Sequence, residues 1–377
     1  MNDASKSALG ILARLGAQPA VAFHEAGVIA AVKEILGELK LDFRTDSYGN
    51  IISWISGVAS DLPEPFKETE RIPPIAFVAH LDHPGFEAVA VDGDYLVGQA
   101  LGSVPPASFS SGVPLQVLLP EGQRLPAATA GPYGPEEDRQ VLIMLEEPQP
   151  VPLPCPVVFD LTDFTLEEDL IRMRALDDLA GCGSILAALA GLSRQVPPGD
   201  VYGVFTRAEE VGLVGARLLA EAGTLPQDTL VVSIESSRTL PGAEIGNGPV
   251  IRVGDAGFTF NADAEAVLLR ARETLQSRSQ GFKVQRQLMS GGTCEASAFA
   301  QYGYRTTGMA FPLGNYHNGA PEGDIRAEYI HREDFLGGVE LLMEAALQVP
   351  QREDTYFRRR ISELPAEYRA RLQQSAG

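Results

Sequence analysis

The sequence predicts an α/β fold, with a mostly parallel mixed sheet flanked by helices and a small all-β domain inserted into it. Beyond about residue 160, apolar strand-like runs alternate with amphipathic helical stretches, which is typical of a parallel sheet covered on both faces. Between residues 89 and 159, short alternating runs are separated by Gly, Pro and Ser, which is typical of a small all-β module. These boundaries predict a discontinuous α/β domain over 1–88 and 160–349, a barrel-like insert over 89–159 and a C-terminal helical tail over 350–377.

Two helices, a hairpin and a buried strand are predicted before the insert. Apolar stripes run from Leu9 to Leu15 and from Val28 to Leu36 at helical spacing, so each stretch predicts one amphipathic helix. A hairpin follows around Gly49-Asn50, because both residues tolerate the positive φ of a tight turn. The apolar run IAFVAH then predicts a buried strand that ends at His80.

Strands and helices alternate after the insert. Helices are predicted over DDLAGCGSILAALAGLSRQ, GLVGARLLAEAG and EASAFAQYG, and strands over VYGVFTR, TLVVSIE and YRTTGMA. The last stretch, REDTYFRRRISELPAEYRARL, predicts a helix interrupted near Pro365, with Tyr368 and Leu372 spaced for packing against another surface.

Composition excludes several classes of function. The 377 residues are 45% hydrophobic, which is enough to bury a core, and their net charge of −20 repels nucleic-acid backbones and anionic lipids. We therefore expect no nucleic-acid or membrane partner. The amino terminus has no export-signal pattern, and three widely spaced cysteines without C-x-x-C argue against a disulfide framework or a cysteine zinc cluster. A cytoplasmic location is expected.

Imidazole and carboxylate side chains follow the ends of the predicted strands. His80 closes IAFVAH, Glu209-Glu210 follows VYGVFTRA, and Glu235 ends VVSIE. In open α/β sheets the carboxyl ends of the strands form the edge where ligands bind. Several buried acids at one edge repel one another strongly unless cations lie between them. The pattern therefore predicts a metal site at this edge.

Three further candidates have ordinary alternatives. Asp177-Asp178 stands where a helix begins, so it is either an N-cap with a first-turn acid or part of the site. His317 lies in a loop rich in Gly, Pro and Asn, where a surface histidine is the ordinary interpretation. Asp82, two residues after His80, has the spacing of a carboxylate that orients a metal-bound imidazole, but such a triplet also arises by chance.

Charge balance favours two ions over one. Two divalent cations bring a charge of +4, and Asp177, Glu210, Glu235 and one hydroxide bring −4. Nitrogen and oxygen ligands without sulfur suit zinc, cobalt or manganese.

At these residues the chain resembles the dinuclear zinc metallopeptidases of the glutamyl and tetrahedral aminopeptidase type, within the co-catalytic metallo-aminopeptidase superfamily. The resembling segments are, in order, YGN, AHLDHPGF, RALDDLAGC, TRAEEVGLVGA, SIESS, IGNGPVIR, SGGTCEASAFAQYG and NYHNGAPEGD. The family also carries a small β domain between the positions matching His80 and Asp177, where this chain has its predicted insert. The resemblance implies a zinc-peptidase-like fold.

The resemblance also implies an activity. It implies hydrolysis of peptide bonds that removes amino-terminal residues, two divalent ions per chain with zinc favoured over cobalt or manganese, and a homo-oligomer between a dimer and a dodecamer. A hydroxide held between the ions would attack the peptide, with Glu209 as general base and Asp82 orienting a ligand. A cis peptide bond would follow the bridging aspartate. The implied ligands are Asp177 for both ions, His80 and Glu235 for one, and Glu210 and His317 for the other.

Three departures from the family pattern bear on the substrate. Glu235 stands where these aminopeptidases usually have Asp, and the longer acid occurs in carboxypeptidase and deacylase branches. A carboxypeptidase or an N-acyl amino acid amidohydrolase therefore remains open. His83 stands where an acid is common, and Cys294-Glu295 follows Gly-Gly-Thr293 where an acid usually follows directly. We predict that His83, Thr293, Cys294 and Glu295 contact the substrate.

Two other classes compete with a metallopeptidase. A metal-independent hydrolase would use Cys294 as nucleophile and His317 as base, but it leaves the strand-end acids unexplained. A non-catalytic homologue would keep the fold without turnover. We interpret His24, near a helix start, and His331, before a helix, as structural residues.

Overall fold

The strands of the described residues form two sheets and a closed barrel. The computed structural model describes residues 3–58, 72–120 and 122–376. In chain order the strands are β1 (Asp42–Thr45), β2 (Ile51–Ile55), β3 (Ile75–His80), β4 (Gly85–Asp92), β5 (Tyr95–Leu101), β6 (Pro114–Leu118), β7 (Arg124–Tyr133), β8 (Gln140–Leu145), β9 (Cys155–Phe159), β10 (Thr165–Glu167), β11 (Leu170–Met173), β12 (Val201–Thr206), β13 (Leu230–Arg238), β14 (Val250–Arg252), β15 (Gln285–Gln287), β16 (Arg305–Leu313) and β17 (Glu328–His331).

Helices cover the larger sheet and form the end of the chain. They are α1 (Asp3–Gly16), α2 (Ala26–Glu38), α3 (Leu176–Leu192), α4 (Val214–Glu221), α5 (Ala262–Arg278), α6 (Glu295–Gln301), α7 (Arg332–Gln348), α8 (Tyr356–Ser362) and α9 (Ala366–Gln374).

The larger sheet is mixed, with a parallel centre. Its order is β1-β2-β12-β3-β13-β16-β14-β15, and the four central strands β12, β3, β13 and β16 run parallel. β2 and β14 flank this centre in the antiparallel direction. Because the four central strands point the same way, their carboxyl ends meet at one edge.

Side chains of β3 show how the sheet is buried on both faces. Ile75, Phe77 and Ala79 belong to one core with α1, α3 and α7, whereas Ala76 and Val78 belong to another core with α4 and α6. Successive side chains of a strand point to opposite faces, so a fully apolar strand needs helices on both sides. The predicted α/β class, with a mixed sheet flanked by helices, is confirmed.

Strands β4 to β9 form a closed antiparallel barrel in the order β4-β5-β8-β7-β6-β9. The barrel has its own core, in which Phe86 makes edge-on contacts with Phe109 and Phe159. Its first strand begins at Gly85, a few residues before the boundary predicted at residue 89. The alternation that marks this strand starts earlier than the change in composition, because Phe86 and Ala88 already point into the barrel.

A small antiparallel sheet lies beside the start of α3. It has the order β10-β11-β17, and Met173 at the end of β11 is paired with Glu328 at the start of β17. This pairing places Glu328 next to the residues that lead into α3.

The carboxyl-terminal tail is helical and exposed. A break between α8 and α9 ends at Pro365, which caps α9, as predicted. Tyr368 and Leu372 are 56% and 74% exposed, so the packing predicted for them does not occur against the described residues. None of the helices in the described ranges combines the length and apolar character needed to cross a membrane.

Candidate metal centre

The edge where the parallel strands end brings the predicted ligands together. His80 is the last residue of β3, and Glu209-Glu210 follows β12 after a turn in which Ala208 has a φ of 52°. Glu235 lies within β13, and His317 follows β16 in a short turn. Asp177 lies at the start of α3, where its φ of −85° and ψ of 103° are not helical, and the peptide bond that joins it to Asp178 is cis, as the resemblance implied.

One group of side chains surrounds the imidazole of His80. Its Nε2 lies 3.4 Å from Asp177 Oδ1, 3.8 Å from Glu209 Oε2 and 4.0 Å from Glu235 Oε2. Ligand atoms of His80, Glu209 and Glu235 all lie within 4.8 Å of one another. The His80 side of the site therefore offers one nitrogen and several carboxylate oxygens.

A second group surrounds the imidazole of His317. Its Nε2 lies 3.4 Å from Asp177 Oδ2 and 3.6 Å from Glu210 Oε1, and ligand atoms of all three residues lie within 4.8 Å of one another. The two oxygens of Asp177 therefore face different imidazoles. This is the arrangement that a carboxylate shared between two cations requires.

The residues present fit a pair of cations. Asp177 Oδ1, Glu210 Oε1 and Glu235 Oε1 are buried without a hydrogen-bond partner among the described residues, and such atoms are costly unless something binds them. The nitrogen–oxygen distances of 3.4–4.0 Å are too long for hydrogen bonds. They approach the roughly 3.3 Å between two ligand atoms of one tetrahedral zinc with bonds of about 2.0–2.1 Å.

The electrostatics of the cluster also favour cations. Burial alone would lower the pKa of His80, but the carboxylates of Glu209 and Asp177 raise it well above its ordinary value. Burial raises the pKa values of Glu209, Glu210 and Glu235 well above their ordinary range. Burial would also raise the pKa of Asp177, but its contacts with both imidazoles lower it. The site holds more carboxylates than two imidazoles can balance, and divalent ions would relieve that repulsion.

Asp82 makes different contacts from those expected of it. Its carboxylate accepts hydrogen bonds from the backbone N–H groups of Glu209 (2.9 Å) and Glu210 (3.1 Å). The backbone carbonyl of Asp82, not its carboxylate, is the hydrogen-bond partner of His80 Nδ1, at 3.1 Å. Asp82 is fully buried, and its main contact is with the turn that carries the two glutamates.

Three of the four residues predicted to contact substrate are buried against protein groups. Both ring nitrogens of His83 lie within hydrogen-bond distance of protein oxygens, the carbonyl of Asp177 and the side chain of Asn318. The Glu295 carboxylate accepts from the hydroxyls of Thr206 and Ser233. Chain folding satisfies these groups, which sequence spacing cannot reveal.

Cys294 is the third buried residue. Its N–H and its thiol both point to Asp255 Oδ2. Burial raises the pKa of the thiol to about 12, so it is not a thiolate at neutral pH, and only the thiolate is an effective nucleophile. This geometry disfavours the metal-independent cysteine hydrolase.

A cavity of about 330 Å³ adjoins the His80 side of the site. Glu235, Arg252, Thr293 and Tyr316 are among the residues that line it, so Thr293 is the predicted substrate residue that does face a cavity. Tyr316 stacks on His317 with ring centroids 3.7 Å apart. It also lines a second cavity, of about 410 Å³, on the His317 side.

Sequence reasoning missed two charged residues at this site. Arg252 is buried at the cavity wall, and its Nε and Nη1 atoms have no hydrogen-bond partner among the described residues. Glu328 is fully buried and accepts hydrogen bonds from the backbone of Asp177 and of His317. Arg252 falls within IGNGPVIR, a segment already noted, and a charged residue inside an apolar run was the signal available. Glu328 gave no comparable signal, because it is 151 positions from Asp177.

Comparison with known proteins identifies a family over part of the chain. Residues 151–335 match the M42 glutamyl aminopeptidase family. A putative aminopeptidase of Acetivibrio thermocellus is 25% identical over 189 residues, which cover 48% of this chain and 53% of that protein. The alignment thus spans about half the length of this relative.

Solved structures match nearly the whole fold. An aminopeptidase of the archaeon Desulfurococcus kamchatkensis superposes with a TM-score of 0.75 at 20% identity, covering 92% of this chain and 97% of that one. The TET1 peptidase of Pyrococcus horikoshii, which can assemble into a tetrahedron or a large octahedral shell, gives a TM-score of 0.72 at 24% identity and covers 90% and 99%. At these identities the likeness establishes the fold.

Proposed function

Since this chain is an M42-type metallopeptidase, we propose that it removes amino-terminal residues from peptides by metal-dependent hydrolysis. The observation that carries the proposal is the carboxylate of Asp177, whose two oxygens each lie 3.4 Å from a different imidazole nitrogen. Two cations sharing one carboxylate form a centre that can both activate water and polarise an amide.

The ligands divide between two cation positions. His80 and Glu235 would hold one ion, Glu210 and His317 the other, and Asp177 both. Imidazole and carboxylate ligands suit zinc, cobalt and manganese. We favour zinc because zinc sites in proteins commonly combine imidazole and carboxylate ligands in sets of three or four. When bound, such ions supply a water of lowered pKa and polarise the carbonyl of the scissile bond.

Glu209 is placed to act as the general base. Its side chain is 12% exposed, more than those of Asp177 and Glu235, and Asp82 holds its backbone N–H. A carboxylate fixed in this way accepts the proton of the attacking water and then delivers it to the leaving amine. Glu209 therefore serves as base and acid in turn while its backbone stays fixed.

The proposed function is tested by pairing metal analysis with a peptide panel. We expect about two divalent ions per chain, and cleavage of peptides with a free amino terminus but not of N-blocked ones. Cleavage of N-acyl amino acids alone would support an amidohydrolase, and release of carboxy-terminal residues would support a carboxypeptidase. Two bound ions with no cleavage of any peptide would indicate that the protein is a non-catalytic homologue.

The cavity beside Glu235 indicates an acidic substrate group. Arg252 lines this cavity and is 3% exposed. Two of its guanidinium nitrogens have no hydrogen-bond partner among the described residues. Two buried guanidinium nitrogens without acceptors are costly, and a bound carboxylate would satisfy them with charge-assisted hydrogen bonds. We therefore favour peptides that begin with Glu or Asp. The α-carboxylate of a substrate would satisfy Arg252 equally, so the same observation is compatible with the carboxypeptidase alternative, which the peptide panel tests.

Replacing Arg252 by glutamine is expected to lower kcat/KM for peptides beginning with Glu by about 10- to 100-fold, the value of a lost charge-assisted hydrogen bond. The kcat/KM for peptides beginning with Ala should change little, so the ratio of the two kcat/KM values, Glu over Ala, is the quantity that tests the prediction. Arg174→Gln is the matched control, because Arg174 is equally buried at 3% exposure. Its guanidinium bonds to Phe159, Leu161 and Asp163, which do not line this cavity, so the ratio should stay unchanged. An equal loss for both substrates with Arg252→Gln contradicts the assignment.

The relatives and the cysteines support proposals about assembly and location. We propose that the chain forms a homo-oligomer between a dimer and a dodecamer, because the TET1 peptidase of Pyrococcus horikoshii assembles into shells. All three cysteines are free and buried, which suits the reducing cytoplasm. Light scattering on the purified protein measures the assembly directly.

A further inference from the structure

A single buried carboxylate ties together two segments of the metal centre. Glu328 is fully buried, and its Oε2 accepts hydrogen bonds from the backbone N–H groups of Leu176 (2.8 Å) and Asp177 (3.0 Å). Its Oε1 accepts a hydrogen bond from the backbone N–H of His317 at 2.8 Å. Asp177 and His317 are therefore both held, through their main chains, by one planar group.

The small sheet explains why Glu328 reaches both segments. Glu328 begins β17 and pairs with Met173 of β11, and the chain passes from β11 directly into the turn that carries Asp177. His317 precedes Glu328 by 11 positions, in the turn between β16 and β17. This pairing brings the two ligand-bearing turns together, and the side chain of Asn318 also donates a hydrogen bond across them to the carbonyl of Arg174.

Holding both amides fixes the distance between the two ligands. Asp177 Oδ2 and His317 Nε2 lie 3.4 Å apart, and a metal affinity depends on keeping such atoms in place before the ion binds. His317 sits in a strained turn with a φ of 53°, so its backbone needs an external partner to stay in position. The His80 side of the site is tied differently, through the carbonyl of Asp82.

We propose that Glu328 is a positioning residue for one of the two cation sites, the site formed by Asp177, Glu210 and His317. This inference rests on the two-ion centre of the proposed function. It makes the two sites unequal. Removing the carboxylate releases two ligands of the His317 side, Asp177 and His317, whereas the His80 side is affected through Asp177 alone and keeps His80 and Glu235 held as before.

The test is a metal titration of Glu328→Gln, independent of peptide cleavage. The glutamine has nearly the same volume as the glutamate. Its NH₂ group can only donate, so it would face a backbone N–H that is also a donor, and the hydrogen bond that the carboxylate oxygen accepted there would be lost. Metal-free wild type and variant are titrated with Co²⁺, and cobalt binding is monitored by calorimetry and by visible absorption. We expect wild type to show two sites, and the variant to keep one of them and to bind at the other about 10- to 100-fold more weakly.

Asp334→Asn is the matched control. Asp334 is also a buried carboxylate that accepts two backbone hydrogen bonds, from Gly246 and Gly248 at 2.7 Å each, and it lies just six residues away on α7. Its partners carry no ligand of the site, so the control should retain both cobalt sites.

Three results would overturn the proposal. The first is two sites of wild-type affinity in Glu328→Gln, and the second is an equal weakening of both sites. Circular dichroism of the metal-free proteins detects unfolding. If Glu328→Gln is unfolded, the same cobalt titration of Glu328→Asp tests the proposal in its place. The third is unfolding of both variants while Asp334→Asn folds, because Glu328 would then be needed for the fold itself. A wild type that binds two ions but cleaves no peptide would reject the proposed function and leave this inference standing.

Discussion

Replacing Asp177 by alanine is expected to remove both cations and to abolish peptide hydrolysis. Its two oxygens are the groups that lie 3.4 Å from His80 and from His317, so among the described residues no other candidate ligand belongs to both groups of side chains. Without it, the acids Glu209, Glu210 and Glu235 remain buried together, with fewer ligands to hold the ions that would neutralise them. Elemental analysis after desalting should find well below one ion per chain.

The activity should fall by at least about 1,000-fold, because metal ions contribute several kcal/mol of transition-state stabilisation and each 1.36 kcal/mol is tenfold in rate. Asp334→Ala is the control, since it removes a buried aspartate whose partners are backbone groups away from the site. Retention of two ions in Asp177→Ala would show that the ligand set is wrong.

The positions of the strand-end residues were the predictable part of the site. His80 ends β3, Glu210 follows β12, and Glu235 lies near the end of β13. These three strands run parallel in the central sheet, and the rule that such strands share a carboxyl edge needs only strand order and direction. The sequence pattern placed the end of β3 at His80 correctly, but β13 continues past Glu235 to Arg238, because the polar run SSR pairs with β16. The pattern left Asp177 and His317 with ordinary alternatives, and for them the family resemblance carried the prediction.

The hydrogen bonds that hold the site were not predictable. Asp82 bonds to backbone groups 127 and 128 positions away, and Glu328 bonds to groups up to 152 positions away. These contacts depend on the conformation of the turns, such as the left-handed Ala208 and His317, and not on any local periodicity. A charged residue in a short strand gives no indication of the amides that it will meet.

The same argument explains why the substrate residues were harder to place. Glu295 and Cys294 stand in a segment that resembles the family, yet folding turns them toward Ser233 and Asp255. Arg252 lines the cavity instead. Sequence identifies which segments meet at the site, but which side chain of a segment faces the open space is decided by helix and strand orientation.

Replacing Glu209 by glutamine is expected to lower kcat by about 100- to 10,000-fold, the usual contribution of a general base, while both cations stay bound. The amide has nearly the volume of the carboxylate, and Asp82 still holds the backbone N–H of residue 209, so the side chain should keep its place. It can no longer accept a proton from water. Turnover and metal content are measured on the same preparation.

Glu210→Gln is the matched comparison, because the two glutamates are adjacent, share the support of Asp82 and differ in which imidazole they approach. We expect this variant to lose the ion on the His317 side and its activity with it. Ligand atoms of Glu209 lie within 4.8 Å of those of His80 and Glu235, so Glu209 has a competing role as a ligand. Loss of an ion from Glu209→Gln would establish that role, and full turnover in this variant would require a different base. Slow turnover with two ions retained is the outcome that assigns the proton transfer to Glu209.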